Sequence, residues 1–152
     1  MTDEHLKQLG RLVVNFSSLE IHMAFIVWNM ISTDQNIGKA ITSNMSFSAL
    51  NNLFGSLSEI HFKEENLKSD AQTIISKMGE LNEKRNQVIH SFWGTNEDNP
   101  EIVTRIKFKP KGIKGLSIQE EQIGAEKIKI LADDIKEGSQ LLIQFINKIS
   151  ST

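Results

Sequence analysis

The chain has no cysteine and no tyrosine among its 152 residues. The first absence excludes disulfides, thiolate metal sites and a cysteine nucleophile, and leaves the redox compartment open. The second removes the phenol as a proton-transfer group. Only two prolines occur, so long helices are permitted. Long hydrophobic runs are missing too. The longest, MAFIVWNMI, contains Asn29 and is too short to span a bilayer. The opening MTDEHLKQLG is charged and lacks the apolar core of a signal peptide. These absences predict a soluble, cytoplasmic protein with no membrane association. Familiar site motifs are also lacking. IGKAIT is not a P-loop, because Thr33 holds the first glycine position and Ala40 the hydroxyl position. No Gly-x-Ser-x-Gly stretch occurs. His5, His22 and His61 have no metal-ligand spacing. Neither a metal nor a cofactor is expected.

What is present is ordinary in bulk: 39% hydrophobic and 24% charged residues. The length predicts one domain, 1–152, large enough to bury its own core. The net charge of -2 hides an asymmetry. Between Ile102 and Ser117 stand Arg105, Lys107, Lys109, Lys111 and Lys114 with no acid. The remainder therefore carries -7, the -2 of the whole less these five positive charges. A basic patch on an acidic body can meet a polyanion.

Apolar periodicity predicts a first helix from about Thr2 to Ile31, with the seam Leu9, Leu12, Phe16, Leu19, Met23, Ile26 and Met30. A second stripe, Val14, Ile21, Phe25 and Trp28, makes this helix apolar on two sides. It is then central in a bundle or holds a partner chain. A short helix follows the caps in Ser32–Asp34 and runs to about Thr42. Another spans Phe47 to about His61. KEENLKSD reads as a polar connection, and helix three runs from about Asp70 to Phe92. GTNEDNPE is a loop. IVTRIKFKPKGIKGLSIQ changes to period two and predicts a β-hairpin turning at Pro110, Gly112 and Gly115. A last helix covers about Gly124 to Ile149. The fold class is all-α with a small β-hairpin insertion at about 98–120. The architecture is a four-helix up-and-down bundle with the hairpin between the third and fourth long helices.

Helix three raises the functional question. Its seam is Ile74, Met78, Leu81, Arg85, Val88 and Phe92, with an arginine where a leucine belongs. A guanidinium does not deprotonate, so it is paired or lines a cleft. A second stripe, Ile75, Gly79, Asn82, Asn86, Ile89 and Trp93, lies roughly 100° away. Gly79 would let another backbone approach. His90 sits at the edge of this stripe, one turn after Asn86. Two chains packing along it would bring their histidines together in an isologous dimer.

Arg85, Asn86 and His90 spell R-N-x-x-x-H near a helix end. This resembles the HEPN superfamily, whose hallmark is an arginine, four to six residues and a histidine, commonly with a polar second position. The resemblance implies a four-helix bundle that dimerises through helix three with the two motifs facing each other. It also implies metal-independent endoribonuclease activity, as a toxin with a cognate antitoxin protein or as a phage-defence component. Other members of the superfamily only bind nucleotides or partner proteins. The hairpin is not part of the minimal pattern.

The residue types suit that chemistry. RNA cleavage without metal needs a base for the 2′-OH and an acid for the leaving oxygen, and histidine serves both. An arginine fork suits the crowded phosphorane. Asn86 can orient the imidazole or bind a phosphate oxygen. Glu20, flanking the first helix's seam, is expected to pair with Arg85 and fix its fork. The cations Arg105, Lys107, Lys109 and Lys111 share one strand face and, with Lys114, form either an electrostatic track for RNA or a lysine-guarded edge strand.

Plainer readings stand beside these. Arg85 could be a structural ion pair, His90 a solvent-facing residue, and Glu20 an exposed helix residue. Trp28 and Trp93 suit packing or a dimer contact better than base stacking. GIKG at Gly112–Gly115 matches a KH-type loop but lies in a hairpin turn.

Overall fold

Eight elements follow one another: α1 (Asp3–Ile31), α2 (Gln35–Thr42), α3 (Phe47–His61), α4 (Glu65–Ile89), β1 (Phe92–Thr95), β2 (Ile102–Pro110), β3 (Leu116–Gly124) and α5 (Ala125–Ser150). The computed structural model describes residues 1–95, 98–99, 101–110 and 116–151, with 108–110 and 116 as backbone. The protein is thus mostly helical with a small antiparallel sheet.

Local chemistry sets most boundaries. The Asp34 carboxylate accepts from the Asn36 amide at 2.9 Å and starts α2. Ser46 Oγ accepts from the Ala49 amide at 3.2 Å and starts α3. α4, the helix three of the sequence reading, begins at Glu65 rather than Asp70. Leu67 and Ala71 are buried and carry its seam about two turns further back. Glu64 and Glu65 place negative charge at the positive end of its dipole. Its end comes early, at Ile89, because the residues after His90 leave the helix to pair as β1.

The core forms where α1 lies along α5, α3 joins α1 to α4, and α4 closes on α5. Leu12, Phe16, Leu19 and Met23 face Ile128, Ile135, Leu142 and Phe145 across this interior. Full burial of each such side chain contributes about 1.5–3 kcal/mol. Gly138 on α5 leaves room for side chains of α4 and α1. A Cβ there would meet Leu81 Cδ1 at 2.6 Å, so a larger residue would force Leu81 to repack.

The second stripe of α1 is covered only at its end. Gly38 of α2 sits on Trp28, where a Cβ would meet the tryptophan Cα at 2.8 Å. The indole N–H donates to Thr42 Oγ1 at 2.7 Å, so Trp28 is a packing residue. Val14, Ile21 and Phe25 stay exposed. The helix is therefore not buried on two sides within one chain. By length and composition α1 is apolar enough to cross a membrane, with a mean hydropathy of 1.2 over 18 residues. Its buried seam is equally that of a core helix.

The expected hairpin is a three-stranded sheet of order β1-β2-β3. FWGT, expected partly as helix and partly as loop, pairs with β2 in the register Phe92↔Ile106 and Thr95↔Val103. β2 pairs with β3 from Ile102↔Gly124 to Pro110↔Leu116. Alternation puts Val103, Arg105 and Lys107 on one face. Val103 and its partner Ile123 are buried, so this cation-bearing face turns toward the helices. Phe92 and Ile118, from the other face, are exposed. β2 is flanked on both sides over Val103–Ile106, which makes Arg105 central, while Lys107 and Lys109 lie beyond the β1 pairing, where the reading of a lysine-guarded edge still stands. Arg105 owes its place between two partners to β1.

His5 ties the sheet to the bundle. It is fully buried, with Nδ1 at 2.7 Å from Thr2 Oγ1 and Nε2 at 3.4 Å from the Ile123 carbonyl. Nε2 donates to the carbonyl, since a carbonyl only accepts.

Candidate functional site

α4 delivers Asn86 and His90 to one side because they stand one turn apart. His90 is the residue that ends the helix, its amide donating to the Asn86 carbonyl at 3.0 Å. Its side chain is exposed. Beside it β2 supplies Lys107, and α3 supplies Ser48 and Asn51. Together with Asn86 and Gln87 these residues line an open groove of about 590 Å³. The cation of the strand and the imidazole of the helix thus share one concavity, although 17 positions separate them in the sequence.

Arg85 stands one layer behind. Five residues of helix separate it from His90, a rotation of roughly 140°, and it does not line the groove. Its guanidinium carbon lies 4.6 Å from the centre of the Phe16 ring, a cation–π contact. Its Nη1 donates to Asn86 Oδ1 at 2.8 Å. Nε is buried without a partner among the described residues. The asparagine oxygen is thereby committed to the arginine, and the Asn86 amide nitrogen is left as donor. That nitrogen lies 3.4 Å from Asn82 Oδ1.

Glu20 does not do what the sequence suggested. No ion pair among the described residues joins it to Arg85. The guanidinium takes an aromatic face and a side-chain amide instead, neither of which titrates.

Arg105 and Lys107 share a hollow with Glu120 and Glu121, but only Lys107 also lines the groove. Arg105 pairs with Glu121 and also donates from Nη1 to the Gln87 carbonyl at 3.3 Å. It faces a second cleft, of about 360 Å³, with Lys84, Lys127 and Asp134. Lys127 also pairs with Glu121. Hydrogen bonding from Lys127, helped by the positive charge of Arg105, holds the Glu121 carboxyl below its ordinary range. Lys109 is described as backbone, and Lys111 and Lys114 lie outside the described residues. Only Lys107 of the proposed RNA track is therefore placed in the groove.

The stripe read as a dimer face is partly occupied within the chain. Asn51 of α3 donates from Nδ2 to the Ile75 carbonyl at 2.9 Å. A Cβ on Gly55 would touch Ile75 Cδ1 at 3.2 Å, and one on Gly79 would meet Asn51 Nδ2 at 3.8 Å. The backbone that Gly79 admits is thus α3 of the same chain. Trp93 donates its indole N–H to the Val88 carbonyl at 3.2 Å. The open remainder of the stripe is Asn82, Asn86 and the adjoining His90.

Sequence reasoning missed Glu83, which also lines the groove and accepts from Gln87 Nε2 at 3.3 Å. It stands seven residues before His90, within roughly 20° of the same helix face, so a helical wheel signals it. Asn51 and Ser48 come from another helix, and no local spacing signals them. Among the described residues no cluster of three or more histidines or carboxylates could hold a metal.

No protein-family model, no curated protein and no solved structure matches this chain.

Proposed function

We propose that this protein is a metal-independent endoribonuclease of the HEPN type, a toxin–antitoxin or phage-defence component working as a homodimer. The observation that carries the reading is the meeting of Asn86, His90 and Lys107 in one open groove. Lys107 attracts the phosphodiester backbone, and the Asn86 amide donates to a phosphate oxygen. His90 handles a proton, and its counterpart from a second copy handles the other. Glu83 is a further titratable group in the same groove. Arg85 acts here as a positioning residue, since its bond to Asn86 Oδ1 turns the amide nitrogen outward. In this reading α1, α3, α4 and α5 make the superfamily's four-helix up-and-down bundle. The closed ring of pairings, α1 with α5, α5 with α4, α4 with α3 and α3 with α1, supports that architecture.

Expression of the wild type is expected to arrest growth, and His90→Ala to relieve the arrest at equal protein level. Cleavage should follow a bell-shaped pH profile, because the acid and the base hold opposite protonation states. Equal toxicity of the two proteins would remove the nuclease reading.

One observation favours a second reading. The Arg85 fork is directed at Phe16 and Asn86 rather than at the groove. A catalytically silent bundle that binds a partner protein or a nucleotide needs no more than this. In that case purified protein leaves RNA intact, and His90→Ala changes neither fold nor binding.

A further inference from the structure

α1 and α5 lie side by side, yet their outer sides differ. α5 exposes Glu126, Lys127, Lys136, Glu137 and Lys148 along its length, as a solvated helix face does. From Leu12 to Ile31 the exposed positions of α1 are valine, serine, isoleucine, phenylalanine and asparagine, with no charge among them. Glu20, the only carboxylate or cation in that span, is half-buried. Val14 is 65% exposed, Ile21 52% and Phe25 38%. Steps of seven and four residues put these three on one stripe. One turn before Val14 stands Gly10, also exposed, where a Cβ would meet nothing within 4 Å. The stripe thus has a notch at one end, an aromatic ring at the other, and Ser17 and Ser18 at its middle.

We propose that a second copy of this chain docks along this stripe, antiparallel, in an isologous contact. A two-fold axis between Ser17 and Ser18 brings Phe25 of each copy to the Gly10 notch of the other and sets Val14 against Ile21, each pair being made twice. The antiparallel order also places the positive end of each helix dipole beside the negative end of the other. Charge selects this occupant. A neutral stripe gives a charged partner nothing to pair with and would strip water from its charges. The stripe is itself neutral and apolar, so it complements its own copy. A lipid surface is the competing apolar occupant, but amphipathic helices that lie on membranes carry Lys and Arg beside the apolar face. No Lys or Arg occurs from Leu12 to Gly38. Residues of α3, α4, β2 and the turn after α4 line the groove, and none of α1 does. The contact is therefore separate from any pairing at His90.

The chain has no cysteine, so single substitutions report the contact directly. In this register the two copies of Ser18 stand side by side, while the two copies of Asn29 lie about 35 Å apart along the helices at 1.5 Å per residue. Ser18→Cys should become a covalent dimer under mild oxidation. Asn29→Cys, also exposed, should yield roughly tenfold less or lower still, because a disulfide needs its two Cα atoms close. Ile21→Lys added to Ser18→Cys should cut the covalent dimer by about tenfold or more, since it buries two unpaired charges, at unchanged circular dichroism. No covalent dimer from Ser18→Cys would overturn the inference. Equal yields from Ser18→Cys and Asn29→Cys would overturn it too, because they mean a parallel pair or random collision. So would a yield that Ile21→Lys leaves unaltered. Flotation of the wild type with phosphatidylcholine vesicles, lost in Ile21→Lys, would overturn it and give the stripe to a lipid surface. The readout is a crosslink on α1, so success or failure of RNA cleavage moves none of these results.

Discussion

Two arginines in this protein solve the same burial problem differently. Arg105, in the middle of the sheet, pairs with Glu121 and reaches the Gln87 carbonyl. Its side chain is 11% exposed. Arg85, near the end of α4, has no carboxylate among its described partners, only the Phe16 ring and the Asn86 amide. Both leave Nε buried and unpartnered. Arg105 is neutralised by Glu121 inside the fold, whereas Arg85, one layer beneath the groove, has no carboxylate partner among the described residues. A charge held without its counter-ion costs stability. The sheet arginine is thus tied down by a carboxylate and the helix arginine by an aromatic ring and the Asn86 amide.

The largest expected effect sharpens that contrast. Arg85→Met should lower RNA cleavage by up to about 100-fold, the scale seen when a remote change misplaces a reacting group. Its unfolding free energy should fall only by about 0.5–2 kcal/mol, the worth of the cation–π contact. Parallel cleavage assays and urea denaturation check the pair of numbers. A large stability loss with activity retained would reverse the assignment. Arg105→Met should give the opposite pattern. Breaking a buried ion pair costs about 3–5 kcal/mol. Because Glu121 is 38% exposed and solvent screens the pair, about 1–3 kcal/mol is expected here, with cleavage nearly unchanged in the folded fraction.

A smaller effect follows from the carboxylate. The acidity of Glu121 is raised mainly by its bond to Lys127 and further by Arg105. A group whose folded pKa is depressed contributes stability above its unfolded value. That contribution is lost as pH falls through the folded one. The sheet should therefore loosen below about pH 4.5, near the ordinary carboxylate value. Solvent screening keeps the effect to about 1 kcal/mol or less. Glu121→Gln should show the loss already at pH 7 and less change on acidification, measured by thermal melts across pH. The smallest effect is expected at Glu20. With no bond to Arg85 to break, Glu20→Gln should stay within about 0.5 kcal/mol of wild type and keep full cleavage. A loss there would reinstate a carboxylate partner for Arg85.

The same contrast explains what could be read from the chain. α1, α2 and α3 were legible because apolar spacing and the caps Asp34 and Ser46 are local signals. The start of α4 was also present, in Leu67 and Ala71, but the polar KEEN turn hid it. β1 was not legible, since Phe92 to Thr95 become a strand only by pairing with Ile106 to Val103. That pairing turns Arg105 and Lys107 inward and exposes Phe92. In the site, the one-turn spacing of Asn86 and His90 was visible on a helical wheel. Lys107 and Asn51 were not, because other elements bring them there. The expected Glu20 partnership failed for a related reason. Charge complementarity in a sequence does not exclude an aromatic ring and an amide as a guanidinium's neighbours.

The most direct measurement is cleavage of single-stranded RNA by purified wild type and His90→Ala in the presence of a strong chelator. If the groove is a metal-independent nuclease site, the wild type cuts and the variant is slower by about 100- to 10,000-fold, the usual worth of one acid–base group. Wild-type protein that leaves RNA intact, or a variant that cuts at the wild-type rate, would contradict the account.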